Sequence, residues 1–187
     1  YQIFPKKGLG QNFIHDANML EKIASLAELT PNDTVLEIGP GTGALTEHIA
    51  PLVREVIAVE IDDRLTPILE ARFANMPNVR FLFQDILETY LQEVVQRGYV
   101  VVANLPYYIT SPILFHFWES SLPLERLVIM VQEEVAHRLT AKVDSSDYSV
   151  ISLAAQYHAQ VDIVHHVPRT CFVPRPKVES AIVRLRS

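Results

Sequence analysis

The chain has 187 residues, 49% of them hydrophobic and 20% charged, which is enough for one domain with a substantial core. Its formal net charge of −6 argues against a general nucleic-acid binder, because contacts to phosphate need clustered lysine and arginine. No apolar run approaches the ~18 residues of a membrane span and the start lacks the apolar stretch of a signal peptide, so we expect a cytoplasmic protein without a membrane anchor.

Helices and strands are predicted to alternate along almost the whole chain. Asp16 is a plausible N-cap of a helix that ends near residue 28, and the β-branched run at residues 34–38 predicts a first buried strand. Further strands are predicted at residues 55–59, 78–83, 99–103, 127–131, 161–167 and 181–185. Further helices are predicted at residues 44–52, 62–73, 86–96, 112–119, 132–139 and 149–157, with a loop at residues 142–147.

This alternation predicts a single doubly wound α/β domain with a mostly parallel seven-stranded sheet. The last two strands are expected to form an antiparallel hairpin at the edge of the sheet. The lone Cys171 excludes an internal disulfide framework, and His165 and His166 would point to opposite faces of their strand. We therefore expect neither an internal disulfide nor a metal site. We also expect a monomer.

A glycine turn follows the first strand and indicates a ligand site. Gly39 and Gly41 would let the backbone approach a ligand closely, and Glu60 follows Gly39 by about 20 residues, the spacing of an acidic residue that binds a ribose. The turn is preceded by Glu37, an anion that would repel the pyrophosphate of a dinucleotide. The pattern therefore favours the cationic cofactor S-adenosylmethionine over a nicotinamide cofactor.

The stretch Asn104-Leu105-Pro106-Tyr107 follows a buried strand and should lie at its carboxyl end, where open α/β sheets bind ligands. The Asn104 side-chain oxygen and the carbonyl before or at Pro106 could accept the two hydrogens of an exocyclic amine, while Tyr107 stacks on the ring. Adenine fits this trio. The alternative is a simple turn, since Asn and Pro both favour turns.

Two further residues have two open interpretations each. Asp85, at the end of a predicted strand, could accept the amine of the cofactor's adenine or could cap the next segment. Phe172, in a proline-rich stretch at residues 172–178, could close over the target base or could be a core aromatic. Basic residues at both ends of the chain raise the possibility of RNA binding; they are Lys6, Lys7, Arg169, Arg175, Lys177, Arg184 and Arg186.

Taken together, these segments resemble the ribosomal RNA adenine N6-dimethyltransferase family, the bacterial KsgA (RsmA) group and its eukaryotic counterparts, with the macrolide-resistance Erm methyltransferases as close relatives. The matching segments run in the family's order over nearly the whole chain. They are Lys7 to Phe13, Glu37 to Gly43, Val59 to Asp62, Gln84-Asp85, Asn104 to Tyr107, Met130 to Gln132 with Glu134-Val135, and Phe172 to Ala181. The last segment resembles the KsgA branch more than Erm.

The resemblance implies a Rossmann-like class I methyltransferase that transfers two methyl groups from S-adenosylmethionine to the N6 amine of adenosines in small-subunit rRNA. It implies that Gln11, Asn12 and Ile14 contact the cofactor, that Gly39 and Gly41 pass its methionine part, and that Glu60, Ile61 and Asp85 hold its ribose and adenine. Asn104 would touch both cofactor and target, Pro106 would accept from the target amine, and Tyr107 and Phe172 would enclose the base.

Two departures from the family pattern stand out. Position 133 is Glu where the family commonly has a lysine, which weakens an expected RNA contact. Family members also continue into a small helical domain, so we expect residues 1–187 to be the catalytic domain alone. The alternatives are an Erm-like methyltransferase of large-subunit rRNA, a non-catalytic RNA-binding assembly factor and, last, a nicotinamide-dependent dehydrogenase.

Overall fold

The computed structural model describes residues 12–96, 98–106 and 108–187. The strands are β1 (Phe13–Ile14), β2 (Thr34–Ile38), β3 (Glu55–Glu60), β4 (Val79–Phe83), β5 (Tyr99–Asn104), β6 (Leu124–Gln132), β7 (Gln160–Val167), β8 (Phe172–Val173) and β9 (Ser180–Arg186). The α-helices are α1 (Ala17–Leu26), α2 (Ala44–Ile49), α3 (Thr66–Arg72), α4 (Leu91–Val94), α5 (Thr110–Trp118), α6 (Glu133–Leu139) and α7 (Val150–His158).

The main sheet has seven strands in the order β4-β3-β2-β5-β6-β9-β7. All neighbours up to β6 are parallel, whereas β9 is antiparallel to both β6 and β7. The predicted fold class and the antiparallel pairing at the edge are confirmed. Strand order reverses between β2 and β5, which is the place where an open α/β sheet forms a ligand crevice.

Each face of the sheet carries its own apolar core, because side chains alternate along every strand. One core contains Leu36, Val101 and Ile129 and packs against α4, α5, α6 and α7. The other contains Val35, Val102 and residues of α1 and α2, and α3 adds a small cluster around Phe73 on Phe81. These two layers hold the carboxyl ends of β2, β3, β4 and β5 at one common edge.

Predicted and observed boundaries differ mainly where a helix tightens into a 3-10 turn. The helix predicted at residues 44–52 is α-helical only as far as Ile49, the end of α2, and continues as a 3-10 turn at Ala50–Leu52. The segment predicted at residues 86–96 contains a 3-10 turn at Ile86–Glu88 and the short α4. Asp16 caps α1 as predicted, its side chain accepting a hydrogen bond from the backbone N–H of Met19.

The basic residues near the end of the chain do not form one patch beside the crevice. Because β9 is antiparallel, Ser180 pairs with Gln132 at the carboxyl edge and Arg186 pairs with Arg126 at the opposite edge. Arg184 and Arg186 both form ion pairs with Glu28 there.

Within the described residues, no helix combines the length and the apolar character that a bilayer crossing requires.

Candidate functional site

A cavity opens at the carboxyl edge of the sheet, at the point where the strand order reverses. The ends of four parallel strands line it, together with the short strand β1. The sequence-predicted residues among its lining are Asn12, Ile14, Glu37, Gly39, Gly41, Glu60, Ile61, Asp85, Asn104 and Pro106. The structure thus brings together residues that lie up to 94 positions apart in the chain.

Glu60 is held against the glycine turn by backbone hydrogen bonds. Its Oε1 accepts from the N–H of Gly41 at 3.0 Å and its Oε2 from the N–H of Asp62 at 3.0 Å. The side chain is only 4% exposed, and burial raises its pKa above the ordinary value. These two bonds fix the plane of the carboxylate while each oxygen keeps a lone pair that can accept a hydroxyl.

The glycine turn has the backbone conformation that its composition suggests. Gly41 has φ +60°, and a Cβ at this position would come within 2.9 Å of the Phe13 ring. Phe13 itself belongs to β1, which pairs with β8 and covers one side of the cavity. Any side chain at Gly41 would therefore have to push the Phe13 ring aside and adopt a left-handed backbone conformation that favours glycine.

Glu37 lies at the base of the cavity and is 1% exposed. Its Oε2 accepts a hydrogen bond from Thr46 Oγ1 at 2.6 Å. Burial raises the pKa of Glu37 to about 7, against the effect of the Thr46 hydrogen bond and with a smaller contribution from the charge of Glu60. Among the described residues, neither Glu37 nor Glu60 forms an ion pair.

Asn104 ends β5 and is tied to the segment before β1. Its Nδ2 donates to the backbone oxygen of Asn12 at 3.1 Å, which leaves the amide oxygen as the acceptor that can serve a ligand. The Pro106 oxygen accepts from Ile109 N and Thr110 Oγ1, each at 3.3 Å. Both bonds lie beyond the usual range of hydrogen-bond lengths, so they are weak.

The wall formed by β3 and β4 combines an apolar surface with an acceptor. Ile61 is 52% exposed although it is a large apolar residue, and it lines the cavity. Asp85 Oδ1 accepts from Leu87 N at 2.9 Å, so the capping interpretation of Asp85 is confirmed and its cofactor role stays a prediction. Thr89 bridges this corner, accepting from Gln84 Nε2 and donating to the oxygen of Asp85, each at 2.8 Å.

Phe172 does not line the cavity in this structure. It is 3% exposed, pairs with Ile14 across the β1–β8 ladder and packs in the core on the α1 side of the sheet. The core interpretation therefore describes its observed position, because the β8 backbone directs the ring inward. Its role over a target base stays a prediction.

Two predicted site residues, Gln11 and Tyr107, lie outside the described residues. Sequence reasoning missed three residues that the structure places around the site: Phe13, Thr46 and Thr89. Thr46 follows the glycine turn closely enough to face the end of β2, but a single threonine in a helix gives no signal by itself. Glu133, the departure from the family pattern, lies 3.0 Å from His166 Nδ1. In the described part of the chain, no cluster of acidic, histidine or cysteine side chains could hold a metal ion.

Comparison with known proteins agrees with the resemblance that the motifs indicated. The profile of the family described as ribosomal RNA adenine dimethylase matches residues 5–187. The ribosomal RNA small subunit methyltransferase A of Bacillus cytotoxicus is 47% identical over 186 residues, which cover 96% of this chain and 64% of that protein. The chain thus spans less than two thirds of the length of this curated relative.

Solved structures agree with this assignment. A dimethyladenosine transferase from Plasmodium falciparum is 34% identical with a TM-score of 0.85, covering 93% of this chain and 62% of that one. The 23S rRNA methyltransferase ErmE is also 34% identical, with a TM-score of 0.84 and coverage of 94% and 69%. The fold is that of the class I methyltransferases, and enzymes of this family depend on S-adenosylmethionine. The chain belongs to the ribosomal RNA adenine dimethylase family.

Proposed function

We propose that this protein transfers methyl groups from S-adenosylmethionine to the N6 amine of adenosines in small-subunit rRNA, giving N6,N6-dimethyladenosine. The observation that carries the proposal is the hydrogen bond from Asn104 Nδ2 to the backbone oxygen of Asn12. It occupies the amide nitrogen and leaves the Asn104 amide oxygen as the acceptor at the cavity. Relatives named small subunit methyltransferase A favour the small-subunit target.

The residues of the cavity fit the cofactor that the family uses. Glu60, held by two backbone amides, is suited to the ribose hydroxyls, and the exposed apolar surface of Ile61 is suited to the face of an adenine. Asp85 would accept the adenine amine, and Asn12, Ile14, Gly39 and Gly41 would surround the methionine part. Gln11 is proposed as a further contact on the basis of the family motif.

When bound, S-adenosylmethionine supplies the electrophilic methyl group. The chain's task is to present the target amine, a poor nucleophile because its lone pair is delocalised into the ring. Acceptance of its two hydrogens by Asn104 Oδ1 and the Pro106 oxygen would favour a pyramidal nitrogen with its lone pair aimed at the methyl group. The weak bonds that the Pro106 oxygen accepts from Ile109 and Thr110 can be exchanged for this one.

Two aromatic residues are proposed to hold the target base. Tyr107 follows Pro106 directly in the chain and would stack on one face of the base. Phe172 would cover the other face, which requires that its ring leave the core position seen here. Exposed Arg175 and Lys177 near this side of the molecule would contact RNA phosphates. We further propose a cytoplasmic monomer that acts on a ribosomal particle, with residues 1–187 forming its catalytic domain.

Nucleoside mass spectrometry tests this function. The chain is incubated with S-adenosylmethionine and undermethylated small-subunit rRNA, and in parallel with large-subunit rRNA. We expect N6,N6-dimethyladenosine in the small-subunit sample. Methylation of the large-subunit sample alone would favour an activity like that named for ErmE, to which this chain is 34% identical. RNA binding without any methylated adenosine would favour an assembly factor.

A further inference from the structure

We propose that Thr46 is a positioning residue that orients the Glu37 carboxylate for the cationic part of S-adenosylmethionine and weakens the hold of that carboxylate on a proton, so that Thr46 sets the pH below which binding of the cofactor must release a proton. The inference rests on the proposed function, because it needs that cofactor in the cavity. It adds to that function a proton that is exchanged on binding and a residue that controls it.

The hydrogen bond between Thr46 and Glu37 is short and buried. Thr46 is fully buried in α2 and Glu37 is 1% exposed in β2, so water competes little for the hydrogen bond between them. Its length of 2.6 Å, from Thr46 Oγ1 to Glu37 Oε2, is that of a strong bond to a charged acceptor. An ionised carboxylate gains more from this hydroxyl than a protonated one does.

In the described part of the chain, the groups that face Glu37 from the neighbouring elements supply no positive charge. On β3 its neighbour in the sheet is Ala58 and the nearest charged group is Glu60; on β5 its neighbour is Val102. From α2 only the uncharged Thr46 reaches it, since Glu47 pairs with Arg72. Asp85 is the further acid in the cavity lining. Among the described residues, every ionisable group that lines the cavity is therefore acidic.

A cation placed in this cavity supplies the missing positive charge. The pKa of Glu37, raised by burial to about 7, must then fall, and a proton leaves as the cofactor binds. Affinity for the cofactor should consequently fall by up to about tenfold for each pH unit below ~7 and stay level above it. Removal of the Thr46 hydroxyl raises the pKa of Glu37 further. The break in affinity, which is the pH below which binding weakens, should therefore move to higher pH.

Isothermal titration calorimetry with S-adenosylmethionine measures this directly. Wild type, Thr46→Val, Thr46→Ser and Glu37→Gln are titrated from about pH 5.5 to about pH 8.5, in buffers of different ionisation enthalpy that report proton release. Thr140→Val is the matched control, because the Thr140 hydroxyl also donates a hydrogen bond, in this case to the backbone oxygen of Ala136, at the end of α6 and away from the cavity. Any titration of the cofactor itself is common to all variants and cancels in the comparison.

We expect the break in affinity to move to higher pH in Thr46→Val, to return in Thr46→Ser and to stay in place in Thr140→Val. Glu37→Gln should remove the break and the associated proton release, and it serves as the test if Thr46→Val does not fold. A break that persists unchanged in Glu37→Gln, or one that Thr46→Val leaves unmoved, would overturn the inference. If wild type binds no S-adenosylmethionine at any pH, the proposed function fails and the inference with it.

Discussion

Two acidic side chains at the carboxyl edge of the sheet and two at its amino edge differ in their hydrogen-bond partners. At the carboxyl edge, Glu37 and Glu60 are buried, their hydrogen-bond donors in the described part of the chain are uncharged, and burial raises the pKa of both. At the amino edge, Arg126 contacts Asp33 at 3.3 Å, while Arg184 and Arg186 contact Glu28 at 3.1 and 2.7 Å. Hydrogen bonding to Arg186 is the main reason that the pKa of Glu28 is lowered.

The difference separates folding from function. Acids that meet arginines at the amino edge help to fasten α1 to the sheet, and their charge is already balanced in the protein. Glu37 and Glu60 cost free energy when they are ionised in the absence of a ligand, because a buried charge without a counter-charge is unfavourable. A cation bound beside them would recover this free energy, whereas Asp62 at the same edge is already paired with Arg64.

Removal of Asn104 should have the largest effect. Asn104→Ala deletes both the proposed acceptor for the target amine and the bond to Asn12, and we expect methyl transfer to fall about 100-fold or more. Rates are measured on undermethylated small-subunit rRNA. Asn78→Ala is the matched control at the amino edge, where Asn78 Nδ2 donates to the oxygen of Ala50. It should lower stability but not the rate per folded molecule, and equal loss of rate in both variants would contradict the assignment.

Glu37→Gln should stabilise the protein in the absence of a ligand. The carboxyl has a pKa of about 7 when folded and 4.5 in the reference state, so the folded protein holds the extra proton between these values and loses stability as the pH rises through them. A neutral amide escapes this cost, and the gain should reach roughly 3 kcal/mol above pH 7 and vanish below about pH 4.5.

Urea unfolding at several pH values measures this gain. Glu134→Gln is the control, because Glu134 is exposed and pairs only with Arg138 one helical turn away. Its effect should stay within about 0.5 kcal/mol and depend little on pH above neutrality. A Glu37→Gln protein that is less stable than wild type at pH 8 would show that the carboxylate is balanced by some other charge.

Arg126→Ala should destabilise the amino edge by about 2 kcal/mol. Arg126 donates to the backbone oxygens of Ala27 and Glu28 after the end of α1 and to the half-buried Asp33. Its removal takes this donor from the two backbone oxygens and the counter-charge from Asp33, which keeps only its hydrogen bond from the N–H of Thr30 among the described residues. Arg138→Ala removes an exposed ion pair of the same chemical type and should cost about 0.3–0.5 kcal/mol. Thermal unfolding compares the two, and similar losses would mean that the amino edge gains nothing from burial.

Much of this architecture is readable from the sequence because each element carries its own local signal. The β-branched runs at residues 34–38 and 99–103 predicted buried parallel strands, and the glycine turn predicted the bend after the first of them. The order of the strands in the sheet, in contrast, depends on contacts between distant segments and has no local sequence signal. Nothing local to Ser180–Arg186 says that it inserts between β6 and β7, and this insertion carries Arg184 and Arg186 away from the site.

The site shows the same division. Glu60 was predicted from its spacing to the glycine turn, and the structure places it against Gly41. Thr46 could not be predicted, since its importance arises only when α2 packs over the end of β2. Phe172 was left open between core and site, because an aromatic residue in a proline-rich loop suits either position, and only the pairing with Ile14 shows where it lies.

The smallest effect that we predict separates charge from backbone conformation at Glu28. This residue has φ +53°, a left-handed conformation that costs a residue with a Cβ about 1 kcal/mol and that glycine adopts freely. Glu28→Ala loses the contacts to Arg184 and Arg186 and keeps the strain, whereas Glu28→Gly loses the same contacts and relieves the strain. Urea unfolding should find the glycine variant about 1 kcal/mol more stable than the alanine variant. High salt should narrow the gap between wild type and Glu28→Ala, because it screens ion pairs, and should leave the gap between the two variants unchanged. Equal stability of the two variants would mean that the αL turn after α1 is held without strain, and that the arginines alone account for what Glu28 contributes at this edge.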